Sequence, residues 1–331
     1  MKYIKLPENK VRRLSFYLAM EEFVARYIKE TECFFMWQGN PTVIFGRNQL
    51  IENEVNLNYC QANHIEMYRR KSGGGCVYAD MSNIMFSYIT KDLNVRFTFD
   101  KYLRMIAHVL RKLGVEAVPS GRNDIYIHGK KVSGNAFYHL PGKSIVHGTM
   151  LFNTDMENLV RSITPSNEKL VSKGVKSVRQ HVTNLSEYLS ISIEEFKDFI
   201  QQQMCDSEIV LTPEQVHKIK EIETEYMSDE FIYGNNPRYT LIKRQRTKAA
   251  GEIEIRIELK NGRIKNLNMM GDYFPVGDLD KALIARLQNV PYEETAVRAA
   301  LEEVQMEDII LQLTVDEFIQ AMFKEDLNTK L

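Results

Sequence analysis

The chain has 331 residues, 44% apolar and 26% charged, which fits a globular protein with two hydrophobic cores and excludes a disordered, collagen-like or small disulfide-stapled chain. Forty-three Lys+Arg against 44 Asp+Glu leave a net charge of -1, so no global field favours duplex nucleic acid or an anionic membrane, and no apolar run approaches the ~20 residues that span a bilayer. Cys33, Cys60, Cys76 and Cys205 form no C-x-x-C pair and Met1 to Asn9 lacks a signal-peptide pattern, which points to a reducing cytoplasm without disulfides or structural zinc.

No internal repeat of about 20 to 50 residues is present, which removes solenoids and propellers. Val11, Leu14, Tyr17 and Leu18 recur at helical spacing and predict a helix through about Tyr27. Short β-type runs follow at Cys33 to Trp37, Thr42 to Phe45, Ile65 to Arg69, Ile84 to Thr90, Ile125 to His128 and Ile145 to Phe152, separated by Gly, Pro and Asn. Among them Tyr102, Met105, Ile106, Val109, Leu110 and Leu113 mark a second helix that Gly114 ends. This mixed order predicts an α+β fold rather than regular βαβ winding.

Ile191 to about Tyr226 reads as the last helices of the N-terminal domain, with Pro213 opening one after Thr212. Asn235, Asn236 and Pro237 break the pattern, which places a linker near Met227 to Tyr239 and divides the chain into domains 1–232 and 233–331. In the second domain Ile253, Ile255, Ile257 and Leu259 alternate, and Asn261-Gly262 supplies a type I′ turn before Ile264 and Leu267. Helices are expected from Leu279, Thr295 and Val315, making a small α+β unit.

The densest chemistry begins at Arg69-Arg70-Lys71-Ser72-Gly73-Gly74-Gly75-Cys76-Val77-Tyr78. Cations running into glycines suit an anion, because backbone N–H groups without neighbouring Cβ atoms can approach it closely. The spacing is neither a Walker A motif nor a dinucleotide fingerprint. A flexible turn with solvated charges is the plainer alternative. The second dense stretch runs from Gly121 through Asn123-Asp124 and Lys131-Val132-Ser133-Gly134 to Ala136. Read with period two, Lys131 and Ser133 share one face and Val132 takes the other, after a tight turn at Gly129. Asn123 and Asp124 offer oxygens suited to Mg²⁺. A hairpin with exposed lysines and an Asx turn accounts for the same residues.

Arg70-x-Ser72-Gly73-Gly74-Gly75, Gly121-Arg122-Asn123-Asp124, Lys131-Val132-Ser133-Gly134, His147-Gly148-Thr149 and Lys173-Gly174-Val175-Lys176-Ser177-Val178-Arg179 occur in the order found in lipoate-protein ligases, and the whole chain resembles a full-length member. The resemblance implies a large mixed-sheet catalytic domain of the biotin/lipoate ligase type and a small α+β C-terminal domain. It implies ATP with Mg²⁺, activation of free lipoate to lipoyl-AMP, and transfer to a lysine of an E2 subunit or a glycine cleavage H protein. Lys131 then stabilises charge in both steps. Arg70, Gly75, Cys76, Val77, Tyr78, Asn123 and Asp124 join Lys131 around the nucleotide, with Asp124 the candidate Mg²⁺ ligand. Trp37, Arg70, Ser72, Gly73, Lys131 and His147 are the lipoate-binding set, with Val43 and Phe45 as further tunnel lining.

Trp37 is equally a core residue by its type, and His147 equally an interior histidine. Cys76 stands where the family commonly has alanine, and Ala79 where a histidine often precedes Asp80. Cys76 sits inside the nucleotide loop, which favours an inert side chain over a thioester nucleophile. Lys169 to Asn184 resembles the loop that closes over the adenylate, or is a solvated loop. Lys243 to Lys248 lacks interleaved aromatics, so a solvated edge or an acidic acceptor contact is favoured over RNA. A transferase using a preformed adenylate or acyl donor, and a non-catalytic lipoate-binding protein, are the competing functions. Octanoate is an expected second substrate, since an apolar tunnel separates similar tails weakly.

Overall fold

The fold is built around α1 (Leu14–Tyr27), which buries every residue from Leu14 to Ala25, the polar Ser15, Glu21 and Glu22 included. The helix begins at Leu14, and Val11 lies outside it, exposed. In this computed structural model the described residues are 1–49, 51–92, 94–120, 123–163, 181–233, 241–260 and 262–323. Gly121, Arg122, the basic stretch up to residue 180, the Asn235–Pro237 break and Asn261 lie outside them.

By its contacts the chain divides into two compact units. The first comprises Met1–Phe45, Ile51–Arg70 and Cys76–Tyr233, and the second Gly46–Leu50, Lys71–Gly75 and Gly234–Leu331. The strands of the first unit are β1 (Lys2–Lys5), β2 (Glu32–Trp37), β3 (Thr42–Phe45), β4 (Glu66–Arg69), β5 (Val77–Ala79), β6 (Asn83–Thr90), β7 (Ala117–Pro119), β8 (Asp124–Ile127), β9 (Lys130–Leu140), β10 (Lys143–Leu151) and β11 (Ser207–Val210). Eight of them form a mixed sheet in the order β11-β1-β2-β6-β10-β9-β8-β7, with β1 parallel to both neighbours and the other pairs antiparallel. A smaller sheet, β4-β3-β5, shares one core with α1 and with Phe35, Trp37, Met85, Tyr138 and Ile145, which alternate onto one face of the large sheet. The helix Val95–Lys112 takes the other face, where Phe99 meets Phe137 and Tyr102 meets Tyr88. Gly114 follows its last turn at φ +82°, a value that favours glycine.

Two sequence expectations change here. Between the helices Ile193–Met204 and Pro213–Tyr226, each opened by a capping box, stands β11, paired to β1. Four residues are too few for a periodicity to register beside two helices. Within the expected linker, Asp229–Tyr233 is helical and tied to β4, because the buried Arg69 guanidinium donates to the carbonyls of Phe231 and Ile232.

In the second unit β12 (Leu241–Arg246), β13 (Glu252–Lys260) and β14 (Arg263–Gly271) form an antiparallel sheet. Ile253, Ile255 and Ile257 face a core completed by Leu283, Leu287, Val297 and Phe318 from the helical segments that follow. Gly262 has φ +71°, as the hairpin turn requires.

Candidate active site

Lys131 is aimed by a defect in strand pairing. His128 and Gly129, both at positive φ, turn β8 into β9 between the paired Ile127 and Lys130. Tyr126 pairs with Lys131, but the next pair is Ile125 with Ser133, so β9 carries one extra residue. Such a bulge inverts the alternation on one side of it. The period-two expectation is therefore corrected: Ser133 faces the Val95–Lys112 side with Asn135, while the Lys131 head lies over Gly134 on the α1 side. A Cβ on Gly134 would stand 2.9 Å from both Cε and Nζ of Lys131. Asp124, paired across from Gly134, meets the ammonium at 2.8 Å between Nζ and Oδ1. The main chain of Lys131 is held too, its carbonyl accepting from Thr183 N at 2.9 Å.

From Asp124 one register row crosses the sheet through Gly134, Thr149 and Met85 to Trp37, and the row beside it on the same face carries Ala136, His147, Ser87 and Phe35. Asp124, Trp37 and His147 thus share one face with the Lys131 head. A buried polar chain joins part of this surface. Trp37 Nε1 donates to Ser87 Oγ at 2.8 Å, Ser87 donates to Glu21 Oε1 at 2.5 Å, and His147 Nδ1 lies 2.8 Å from Glu21 Oε2. Trp37 also stacks on Tyr17, with ring centroids 5.0 Å apart. Glu21 and Ser87 have no counterpart in the sequence reading, because a carboxylate inside an apolar helical pattern looks like an ordinary surface position.

The small sheet supplies Arg70, Cys76, Val77 and Tyr78. Arg70 is buried, donates from Nη1 to the carbonyl of Ile44 at 3.1 Å, and has its pKa drawn down to about 10 by burial, against the opposing charge of Glu21. It remains a cation at neutral pH. Burial pushes the Cys76 thiol far above its ordinary value, which makes it a poor nucleophile. Val77 and Tyr78 belong to β5, an edge strand, so alternate backbone groups point away from β3. Ala79 is buried opposite Thr42, and the Asp80 carboxylate accepts from both the amide and the hydroxyl of Ser82.

Ser72, Gly73 and Gly75 are placed differently, in the second unit. There Arg47 N donates to Ser72 O at 2.8 Å and Gly74 N to Tyr273 O at 3.1 Å. A Cβ on Gly73 would stand 2.4 Å from the Tyr273 carbonyl oxygen, so this loop packs too tightly for any side chain.

Among the described residues no group of three or more His, Cys, Asp or Glu side chains could hold a metal. Asp124 is a single carboxylate, and Asn123 is engaged through its amide with Asn135. That donor set fits Mg²⁺ carried on a substrate phosphate, which needs one or two protein carboxylates, and does not fit a metal bound by the protein alone.

The family model "Lipoyl protein ligase A/B catalytic domain" matches residues 14–205, and "Bacterial lipoate protein ligase C-terminus" matches residues 236–322. The chain is 36% identical to lipoate–protein ligase 1 of Staphylococcus aureus over 309 residues, 90% of this chain and 93% of that one. It is 33% identical to the lipoate-protein ligase LplJ of Bacillus subtilis over 318 residues, 92% and 96% of the two chains. Among solved structures, LipL1 of P. falciparum in complex with lipoate aligns with a TM-score of 0.71 at 23% identity over 92% of this chain and 94% of its own. A lipoate-protein ligase A bound with ATP aligns at 0.61 and 24% over 70% and 98%. The Thermoplasma acidophilum bipartite lipoate protein ligase, described with its E2 lipoyl domain, aligns at 0.65 and 26% over 73% and 100%. Full-length agreement with two ligases, together with matches to both parts of the family, establishes that this chain belongs to the lipoate-protein ligase family and is a ligase.

Proposed function

We propose that this ligase activates free lipoate with Mg·ATP and passes the lipoyl group to a lysine of an acceptor domain. In the first step a lipoate carboxylate oxygen attacks the α-phosphorus, forming lipoyl-AMP and releasing pyrophosphate. In the second the acceptor ε-amine attacks the acyl carbon, an amide forms, AMP leaves, and the amine gives up a proton. Two negative groups must meet first. Holding a carboxylate and a phosphate oxygen ~4 Å apart costs about 1 kcal/mol in water but about 4 kcal/mol at an effective dielectric near 20. A cation between them offsets that cost in the first step and steadies the leaving AMP in the second.

The placement of the Lys131 ammonium carries this reading: it sits above Gly134, beside Asp124, on the face shared with Trp37 and His147. Arg70 adds a second, buried cation, and Asn123 and Asp124 border the nucleotide, with Asp124 one ligand of the Mg²⁺ that ATP brings. The chain from Cys76 into β5, through Val77 and Tyr78, lies along the nucleotide. Trp37 and His147 take the lipoate side. Relatives of this fold solved with lipoate, with ATP or described with an E2 lipoyl domain support the choice of substrates and acceptor class. Burying about five methylenes of the tail at ~0.8 kcal/mol each gives about 4 kcal/mol, millimolar binding by itself. Retention of the adenylate therefore rests on its polar end, and octanoate is also accepted. E2 subunits or a glycine cleavage H protein in the cytoplasm are the proposed acceptors, a setting that suits the four free cysteines.

The deciding experiment mixes purified protein, lipoate or octanoate, Mg·ATP and an acceptor domain. Pyrophosphate release with a matching mass gain on the acceptor is expected. Transfer from synthetic lipoyl-AMP without any ATP-dependent pyrophosphate release identifies a transferase instead, and neither signal identifies a binding protein.

A further inference from the structure

The bulge that aims Lys131 weakens the corner it depends on. An extra residue interrupts the β8–β9 ladder, and Gly134 gives up its side chain to make room for the lysine. Asn135, the next residue, projects from the opposite face of β9 and is 4% exposed. Its Nδ2 donates to Asn123 O at 3.0 Å and to Ser133 Oγ at 3.1 Å, and its backbone N donates to the same Asn123 O at 3.0 Å. Asn123 Nδ2 returns a bond to Asn135 O at 3.0 Å. Beyond this clamp, Ser120 Oγ accepts from the amides of Asn123 and Asp124. Each clamped residue adjoins a member of the site, since Asn123 precedes Asp124 and Asn135 follows Gly134.

Gly148 on β10, directly opposite Asn135, leaves space for this clamp. A Cβ there would fall 1.8 Å from Asn135 Oδ1. That oxygen has no hydrogen-bond partner among the described residues, so Gly148 contributes room and not a bond.

We infer that Asn135 is a positioning residue for Lys131: by clamping Asn123 it fixes the bulged corner, and so the spacing between Lys131 and Asp124, from the face opposite the substrates. This rests on the reading of Lys131 given above. It deepens that reading by assigning the cause of the lysine's placement to a residue that touches neither substrate.

The test measures ATP-dependent pyrophosphate release by the purified full-length protein, with melting recorded for each variant. Asn135→Ala is expected to lower kcat about tenfold while KM for lipoate and for ATP stays within about twofold, as a misplaced group rather than a lost contact would do. In a Lys131→Arg background the same change is expected to cost no more than about twofold, because the group it positions is already displaced. Gly148→Ala is expected to lower both kcat and the melting temperature, and Asn135→Ala added to it to recover part of the loss in melting temperature, the remainder being the contact with the Gly134 carbonyl oxygen, 2.9 Å from that Cβ. An unchanged kcat in Asn135→Ala, or a further tenfold loss in the Lys131→Arg background, overturns the inference. Should Asn135→Ala not fold, Asn135→Ser keeps a small polar side chain too short to reach Asn123 O and is read by the same cycle. A wild-type rate in Lys131→Ala sinks the reading of Lys131 and the inference with it, whereas loss in Lys131→Ala with none in Asn135→Ala sinks the inference alone.

Discussion

Lys131 Nζ stands 2.8 Å from Asp124 Oδ1 above a residue, Gly134, where a methyl group would lie 2.9 Å from the same nitrogen. Gly134→Ala is therefore expected to displace the ammonium without disturbing the core. Pyrophosphate release should fall by about tenfold or more, as misplacement of a catalytic group implies, with melting within a few degrees of wild type. A wild-type rate would show that the lysine works from some other position.

Asp124→Asn keeps the shape of the carboxylate and removes its charge. If that carboxylate holds both Lys131 and the magnesium that ATP brings, kcat should fall and the Mg²⁺ concentration for half-maximal rate should rise several-fold. Titrating Mg²⁺ at saturating ATP checks this. An unchanged midpoint would leave the ion to the phosphates alone.

Glu21 is fully buried, and its two oxygens meet Ser87 and His147. Glu21→Ala removes the acceptor to which Ser87 donates and the carboxylate beside His147 Nδ1, a cost of about 1–3 kcal/mol for a buried hydrogen bond left unmade. A melting temperature lower by several degrees is expected, with KM for lipoate rising more than KM for ATP because His147 shares its face with Trp37. Equal rises in both would argue against a lipoate-side role.

In the second unit, Gly73→Ala drives a methyl to within 2.4 Å of the Tyr273 carbonyl and 2.8 Å of Pro275 Cδ. Neither atom belongs to a flexible side-chain end, so the loop must move. Activity should drop by about tenfold or more if Ser72 and Gly73 meet substrate, on the same misplacement argument. Steady-state rates together with lipoate affinity measured by calorimetry decide it.

Alkaline pH should destabilise the fold. Burial raises the thiols of Cys33 and Cys60 to about 11 and that of Cys205 to about 12. Below about pH 8.5, the ordinary thiol pKa, both folded and unfolded thiols hold their protons. Above it the unfolded thiols ionise first, so stability is lost progressively as pH rises toward the folded values. Buried tyrosines such as Tyr68 and Tyr88, raised to about 12, add to the loss above pH 10. Lys143 and Arg70, both lowered by burial, oppose this trend. A melting temperature unchanged between pH 8 and pH 10.5 would contradict this. In the same series Cys76→Ala should keep its adenylation rate, since the elevated thiol is not a nucleophile.

Much of the framework is legible without coordinates. The apolar run Thr42 to Phe45 coincides with β3, and Thr212-Pro213 opens a helix as its capping chemistry requires. Motif residues such as Asn123, Asp124, Lys131 and His147 are visible by type and order. Hidden from that view are β5, only three residues long, β11, whose four residues lie between two capped helices, and the roles of Gly134 and Gly148, whose empty Cβ positions matter only once the fold brings a side chain over them.

Local spacing and residue chemistry alone determined that the chain is an α+β protein, because helix and strand periods and turn residues act within a few positions of the chain, while the order of its motifs carried the resemblance to lipoate-protein ligases. Only the tertiary structure decided which way Lys131 points, that Glu21 is buried against Ser87 and His147, and that the glycines at 73–75 group with C-terminal residues. A one-residue bulge inverts a strand's facing, and pairings between residues 66 or more positions apart have no local signature, so those features exist only where the folded strands and helices meet.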